Sequence, residues 1–160
     1  TVRAPRVVPP SPIKPPVPAP AAGGGVFPVQ GPHTYGEGFG ADRGERLHEG
    51  VDLAAALGTP VVAPLAGSVT AVDYQADGAG EYVVVTLPDG RAFFFAHCRR
   101  NSTAVAAGTA VAAGAKLCEV GSTGASSGNH LHFEIWENGW RASKASRPID
   151  PVPLLRAWDR

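Results

Sequence analysis

Proline and glycine interrupt this chain so often that only short strands and turns fit between them. The 160 residues include 20 glycines and 16 prolines. Proline removes a backbone donor and glycine favours turns, so both residues end regular elements. The one helical candidate covers residues 153–158, where a proline in the first turn is tolerated. The sequence therefore predicts an all-β fold of mainly antiparallel sheets with little helix.

Residues 1–26 differ in composition from the rest of the chain. Residues 2–25 carry eight prolines, three basic residues and no acidic residue. Proline-rich sequences of this kind form extended polyproline-II structure. We therefore expect a disordered Pro/Gly-rich linker over residues 1–26, followed by one folded domain over residues 27–160. A ligand for a proline-binding domain is the less favoured interpretation of the linker.

Runs of β-branched and aromatic residues alternate with turn residues in the predicted domain. Residues 81–97 predict a hairpin whose turn lies at 88–90. Residues 130–135 alternate strictly between polar and apolar side chains, in a strand that precedes an Asn-Gly turn. These patterns indicate strands that have one face in the core.

Charge and hydropathy exclude several functional classes. The 14 basic residues balance 14 acidic residues, so there is no electrostatic footprint for nucleic acid. No run approaches the roughly 20 apolar residues that span a bilayer. The chain begins at Thr1 and contains no Met, so we expect that a leader has been removed or left out. Cys98 and Cys118 are compatible with one disulfide or with two buried thiols.

The segment His130–Ile135 is the strongest candidate for a metal site. Successive strand side chains point to opposite faces, so His130, His132 and Glu134 share one face and the apolar residues share the other. The two histidines, about 6–7 Å apart at Cα, can reach one small site. A pair of solvated surface histidines is the alternative interpretation.

His48 and Asp52 form the second candidate pair. Fully extended, residues four apart lie about 13 Å from one another, near the limit for two side chains that share one zinc ion. We therefore expect a bend between them, which Gly50 permits. A charged loop that begins a strand is the alternative.

His97 ends the aromatic run Phe93-Phe94-Phe95-Ala96. Alternation places Phe93, Phe95 and His97 on one face, with Ala96 and Cys98 on the other. From this run alone, a buried core histidine is the favoured interpretation.

The number of candidate ligands favours catalysis. Structural zinc sites use four protein ligands, whereas catalytic sites use three and keep one position for water. His48, Asp52 and either His130 or His132 make three ligands. His97 and the other histidine are then free to transfer protons, a role that suits histidine because the unperturbed pKa of an imidazole lies near operating pH.

Three separated motifs resemble lysostaphin/LytM-type zinc endopeptidases. They are the pair His48 and Asp52 with the upstream run 39–43, the Phe-Ala-His sequence at 95–97, and GSTGASSGNHLHFE at 121–134. The resemblance implies a β-rich catalytic domain with a groove, one Zn²⁺ per chain, and hydrolysis of peptide bonds in peptidoglycan stem peptides or cross-bridges. It also implies a secreted or cell-envelope location on the outer side of a bacterial membrane. We expect a monomer.

The resemblance also implies a role for each site residue. His48, Asp52 and His132 correspond to the zinc ligands. His130 corresponds to the general base, and His97 to the histidine that binds the transition-state oxyanion. A catalytically silent relative that binds cell wall or activates an amidase is the alternative, although such relatives typically lack some of these residues.

Several residues lie outside this pattern or are ambiguous within it. Cys98 and Cys118 are not usual in the family, and we predict a disulfide between them that contributes about 2–4 kcal/mol. Glu134 is either a partner of a ligand or a solvated carboxylate. His33 lies outside the motifs, and we expect it in a loop.

Overall fold

The computed structural model describes residues 24–160, so most of the predicted linker lies outside the described residues and its boundary stays a prediction. Proline and glycine divide this part of the chain into short elements. These are β1 (His33–Tyr35), β2 (Val51–Ala55), β3 (Pro60–Val62), β4 (Gly67–Gln75), β5 (Gly80–Thr86), β6 (Ala92–Cys98), β7 (Ala110–Val111), β8 (Lys116–Glu119), β9 (His130–Glu137), β10 (Arg147–Ile149) and α1 (Val152–Trp158).

One antiparallel sheet contains most of the strands. Its order is β1-β2-β9-β6-β5-β4-β7, and β10 pairs with the second half of β9. Strands β3 and β8 form a separate antiparallel pair. The prediction of an all-β fold with little helix is confirmed. Within residues 24–160, α1 has seven residues, and no helix has the length and apolar character that a membrane span requires.

The two predicted turns are present. Strands β5 and β6 form the predicted hairpin, and Gly90 in its turn has a φ of 90°, which glycine adopts without steric cost. Asn138 and Gly139 after β9 both have positive φ, at 58° and 81°. The 138–146 connection then returns the chain to pair as β10.

Both faces of the sheet are covered at its centre. One face of β6 and β9 packs into the main core through Phe93, Phe95, Leu131, Phe133 and Ile135. The alternation predicted for β9 is therefore confirmed. The opposite face carries a smaller cluster, formed by Tyr82, Val84, Ala92, Phe94, Ala96 and Trp136.

A β-bulge at the end of β6 overturns the predicted orientation of His97. Glu81 pairs with Cys98 and Val83 pairs with Phe95, so β6 has one more residue than β5 over this interval. His97 is the extra residue, and its φ is 61°. His97 consequently lies on the same face as Ala96, and Cys98 turns into the main core. The predictions that His97 shares the Phe95 face and that Cys98 shares the Ala96 face are both wrong.

The predicted disulfide is present. Cys98 and Cys118 are bonded, with their Cα atoms 6.0 Å apart, and both residues are buried. The bond joins the end of β6, one residue after the bulge, to β8. It therefore fixes the segment that carries His97 to a neighbouring part of the fold.

Candidate metal centre

The pairing of β2 with β9 places a carboxylate beside an imidazole. Asp52 and His132 are cross-strand partners, and Ala54 is the partner of His130. Cross-strand partners bring their side chains within contact distance on one face of the sheet. Two residues that are 80 positions apart in sequence therefore meet on one face of the sheet.

His48 reaches the same point because the chain bends just before β2. Gly50 lies at this bend, and a Cβ atom there would lie 2.3 Å from the Phe133 carbonyl oxygen. The expected bend between His48 and Asp52 is confirmed. Gly50 is required by the close approach of the β9 backbone.

Three side-chain atoms converge. His48 Nε2 lies 2.9 Å from His132 Nδ1, and Asp52 Oδ1 lies 2.9 Å from His132 Nδ1 and 3.3 Å from His48 Nε2. Within residues 24–160, this is the one group of three histidine, cysteine or acidic residues whose ligand atoms all lie within 4.8 Å of one another. These are two histidines and one carboxylate, a donor set that divalent transition metals accept.

Neighbouring hydrogen bonds fix which ring atoms face the centre. His48 Nδ1 donates to the Gly38 carbonyl at 2.9 Å, and His132 Nε2 donates to Glu134 Oε1 at 2.7 Å. A neutral imidazole has one donor and one acceptor nitrogen. Each neutral ring therefore directs a lone pair toward Asp52 Oδ1, and three acceptors surround one point. This arrangement requires a cation or a proton between them.

The electrostatics of the centre favour a positive charge. Burial disfavours the imidazolium of His132, but the carboxylates of Asp52 and Glu134 outweigh it and raise its pKa to about 9. Burial also opposes ionisation of Asp52, but the adjacent His132 and His48 rings hold its pKa well below the usual range. A proton on His132 Nδ1 and a metal ion are alternatives at the same place.

Arg43 orients the carboxylate from behind. Its Nη2 donates to Asp52 Oδ2 at 2.6 Å and to Glu37 Oε2 at 2.8 Å. Because Arg43 binds one carboxylate oxygen of Asp52, the other oxygen is directed to the two histidines.

His97 and His130 lie beside this centre with their ring centroids 4.7 Å apart. His97 Nδ1 donates to the Thr123 carbonyl at 2.7 Å, and His130 Nδ1 donates to the Gly128 carbonyl at 2.8 Å. Each neutral ring therefore keeps Nε2 as an acceptor, and His130 Nε2 lies 3.7 Å from Asp52 Oδ1. Burial lowers the pKa of His97 to about 4, although the Thr123 carbonyl opposes the shift. The structure brings together all five residues that the sequence identified as site candidates.

Two ambiguous residues are resolved by their contacts. Glu134 is 4% exposed and accepts hydrogen bonds from His132 and from the Trp136 indole, so it is a partner of a candidate ligand and is not solvated. His33 lies in β1, not in a loop, and stacks on Phe27 with ring centroids 4.1 Å apart.

An open groove of about 390 Å³ crosses the sheet over these residues. Strands β6 and β9 form its floor. One wall consists of residues 43–49 with Trp140 and Arg141, and the other is the β4–β5 turn. Sequence reasoning missed Thr123, Trp136 and Arg141 as residues of the site. The glycine/serine-rich run that contains Thr123 was the one available signal for any of them.

Comparison with known proteins agrees with this geometry. Residues 46–148 match peptidase family M23, and this interval contains all five candidate residues. A metalloprotease of Haemophilus influenzae is 44% identical over 109 residues, which cover 68% of this chain and 21% of that protein. The DD-carboxypeptidase/endopeptidase Mpg of Neisseria gonorrhoeae is 37% identical over 109 residues, covering 68% of this chain and 23% of that protein.

A similar structure is the catalytic domain of the antimicrobial peptidase lysostaphin from Staphylococcus simulans. It is 30% identical, with a TM-score of 0.68, and the match covers 78% of this chain and 92% of that domain. This chain spans less than a quarter of the length of the two curated relatives described above. The family match nevertheless covers more than half of the chain, at 103 residues from 46 to 148. The chain therefore belongs to peptidase family M23.

Proposed function

We propose that this domain is a zinc-dependent endopeptidase that hydrolyses peptide bonds in peptidoglycan stem peptides or cross-bridges. The observation that carries the proposal is the convergence of His48 Nε2, Asp52 Oδ1 and His132 Nδ1 on one point of an open groove. The relatives described above, a DD-carboxypeptidase/endopeptidase and an antimicrobial peptidase, support a peptidase function. The peptidoglycan substrate rests on the resemblance to lysostaphin/LytM-type endopeptidases.

We assign one Zn²⁺ per chain to His48, Asp52 and His132. Two imidazole nitrogens and one carboxylate oxygen match the ligand types of zinc, and three protein ligands keep a position for water. Bound zinc would supply two effects, a lower pKa for water and polarisation of the scissile carbonyl.

We assign the general base to His130. Its Nδ1–H is held by the Gly128 carbonyl, so Nε2 can accept a proton from the attacking water. The resulting imidazolium can then donate that proton to the leaving amine.

We propose that His97 orients the attacking water. The hydrogen bond to Thr123 leaves Nε2 of the neutral ring as an acceptor, and a pKa of about 4 keeps the ring neutral at pH 7. Donation to an oxyanion, the role that the resemblance implies, would require a protonated ring. The geometry therefore favours a role for His97 as a hydrogen-bond acceptor while its ring is neutral.

The proposed substrate implies a location. Peptidoglycan lies outside the cytoplasmic membrane, so we propose that the domain acts in the cell envelope or after secretion, as a monomer. The Cys98–Cys118 disulfide supports an oxidising compartment of this kind.

Digestion of purified peptidoglycan, with and without chelator, tests the proposal. We expect fragments with new amino termini, which disappear on chelation and return with Zn²⁺, and about one zinc per chain. Freed lactyl groups would instead indicate an amidase. Zinc at full occupancy with no released fragment would overturn the proposal in favour of a silent cell-wall-binding or amidase-activating domain. His130→Ala should retain zinc and lose activity.

A further inference from the structure

Arg141 is held at the rim of the groove by several independent contacts. Its φ of 48° lies in the left-handed region, where a non-glycine residue is strained by about 1 kcal/mol or more. Its guanidinium carbon lies 5.0 Å from the centroid of the Trp136 ring and 5.9 Å from that of Trp140. Its Nη2 donates to Glu49 Oε2 at 2.5 Å. The fold thus positions this cation despite backbone strain.

Most hydrogen-bonding capacity of Arg141 is unused. A guanidinium has five N–H donors. Within residues 24–160, the Arg141 side chain donates one hydrogen bond, to Glu49, and it is 52% exposed. The planar donor pair of arginine matches a carboxylate in bidentate geometry. The unused donors can therefore bind a carboxylate that enters the groove.

Arg141 shares its groove with the candidate metal centre. It lines the same groove as His132, and its partner Glu49 directly follows the candidate ligand His48. The opposite wall carries Asp77 and no basic residue among the groove-lining residues. A substrate carboxylate would consequently be attracted to the Arg141 wall and repelled by the other.

We propose that Arg141 is a specificity-determining residue that binds a substrate carboxylate near the scissile bond, so that the enzyme prefers peptides with free carboxyl groups over amidated ones. The inference rests on the proposed peptidase function. A purely structural alternative exists, in which Arg141 joins the 138–146 connection to the loop that carries Glu49. Loss of a carboxylate-binding residue would slow only the digestion of substrates with free carboxyl groups, whereas loss of a structural residue would slow the digestion of amidated substrates as well.

The test uses peptidoglycan in two forms, native and amidated with carbodiimide and ammonia. We expect wild type to digest the native form about 10-fold faster or more, because a hydrogen bond to a charged group contributes about 1.5–3 kcal/mol. Arg141→Gln should digest both forms at similar rates, with the loss expressed mainly in KM, whereas Arg141→Lys should keep part of the preference. Zinc content should stay at one per chain.

Arg147→Gln is a matched control, because Arg147 also forms an exposed ion pair, with Glu137, but does not line the groove. This variant should keep the wild-type preference. Equal digestion of both forms by wild type would overturn the inference and leave the proposed function intact. Equal slowing of Arg141→Gln on both forms would assign Arg141 the structural role. Digestion of neither form by wild type would contradict the proposed function itself.

Discussion

Trp136 donates its indole N–H to Glu134 Oε2 at 2.5 Å, while the other oxygen of the same carboxylate accepts from His132. All three side chains are buried. The two hydrogen bonds fix the orientation of the Glu134 carboxylate. The carboxylate in turn holds the His132 ring with Nδ1 toward the candidate metal centre. Partners of this kind increase the basicity of a ligand and set its orientation.

Trp136→Phe should weaken zinc binding without unfolding the domain. The variant keeps an aromatic ring and loses the N–H group that orients Glu134, and loss of such a partner typically costs 10–100-fold in metal affinity. Competition with a chromogenic chelator measures the affinity. Trp140→Phe is the matched control, because the Trp140 indole has no hydrogen-bond partner within the described residues. Equal affinities for the two variants would contradict the orienting role.

His97 should make stability fall as the solution is acidified. Burial lowers its pKa from 6.5 to about 4, so the unfolded chain binds the proton more tightly. The stabilising contribution is complete above about pH 6.5 and is lost as pH decreases toward 4. Urea unfolding of the chelator-treated protein measures this, as the difference between wild type and His97→Gln. A difference that is constant from pH 7 to pH 4 would contradict the lowered pKa.

The Cys98–Cys118 disulfide should affect activity more than metal binding. It holds the residue that follows His97, and the loop that begins after β8 supplies the Thr123 carbonyl that binds His97. Replacing both cysteines by alanine should lower the free energy of unfolding by about 2–4 kcal/mol. Turnover should decrease while zinc content stays near one per chain, as measured by metal analysis and digestion. Unchanged turnover would show that the bulge holds His97 without the disulfide.

Gly50→Ala should disrupt the candidate metal centre. The added methyl group would lie 2.3 Å from the Phe133 carbonyl oxygen, so β2 and β9 would have to separate at Asp52 and His132. We expect a decrease in zinc affinity of at least 10-fold, since ligand geometry must be held within a few tenths of an ångström. Gly38→Ala is the matched control, because a Cβ atom there meets nothing within 4 Å. Full zinc affinity in Gly50→Ala would show that the strands can adjust.

Local patterns predicted much of the fold, because strand alternation and turn chemistry depend on neighbouring residues. The buried face of β9, the 88–90 turn and the Asn-Gly turn could all be read in this way. His97 could not, since a bulge depends on how two strands pair and leaves no mark in the alternation of one. The contact between Arg141 and Glu49 could not be predicted from the sequence either, because the two residues lie in loops and are 92 positions apart.

Metal binding depends on the correct register of β2 against β9. A slip of one residue would turn Asp52 away from His132 and separate the ligands completely. Only molecules with the correct pairing could then retain the ion, and retention would draw the population toward that pairing. A metal ion that is available while the chain folds would therefore favour correctly paired molecules before any substrate binds.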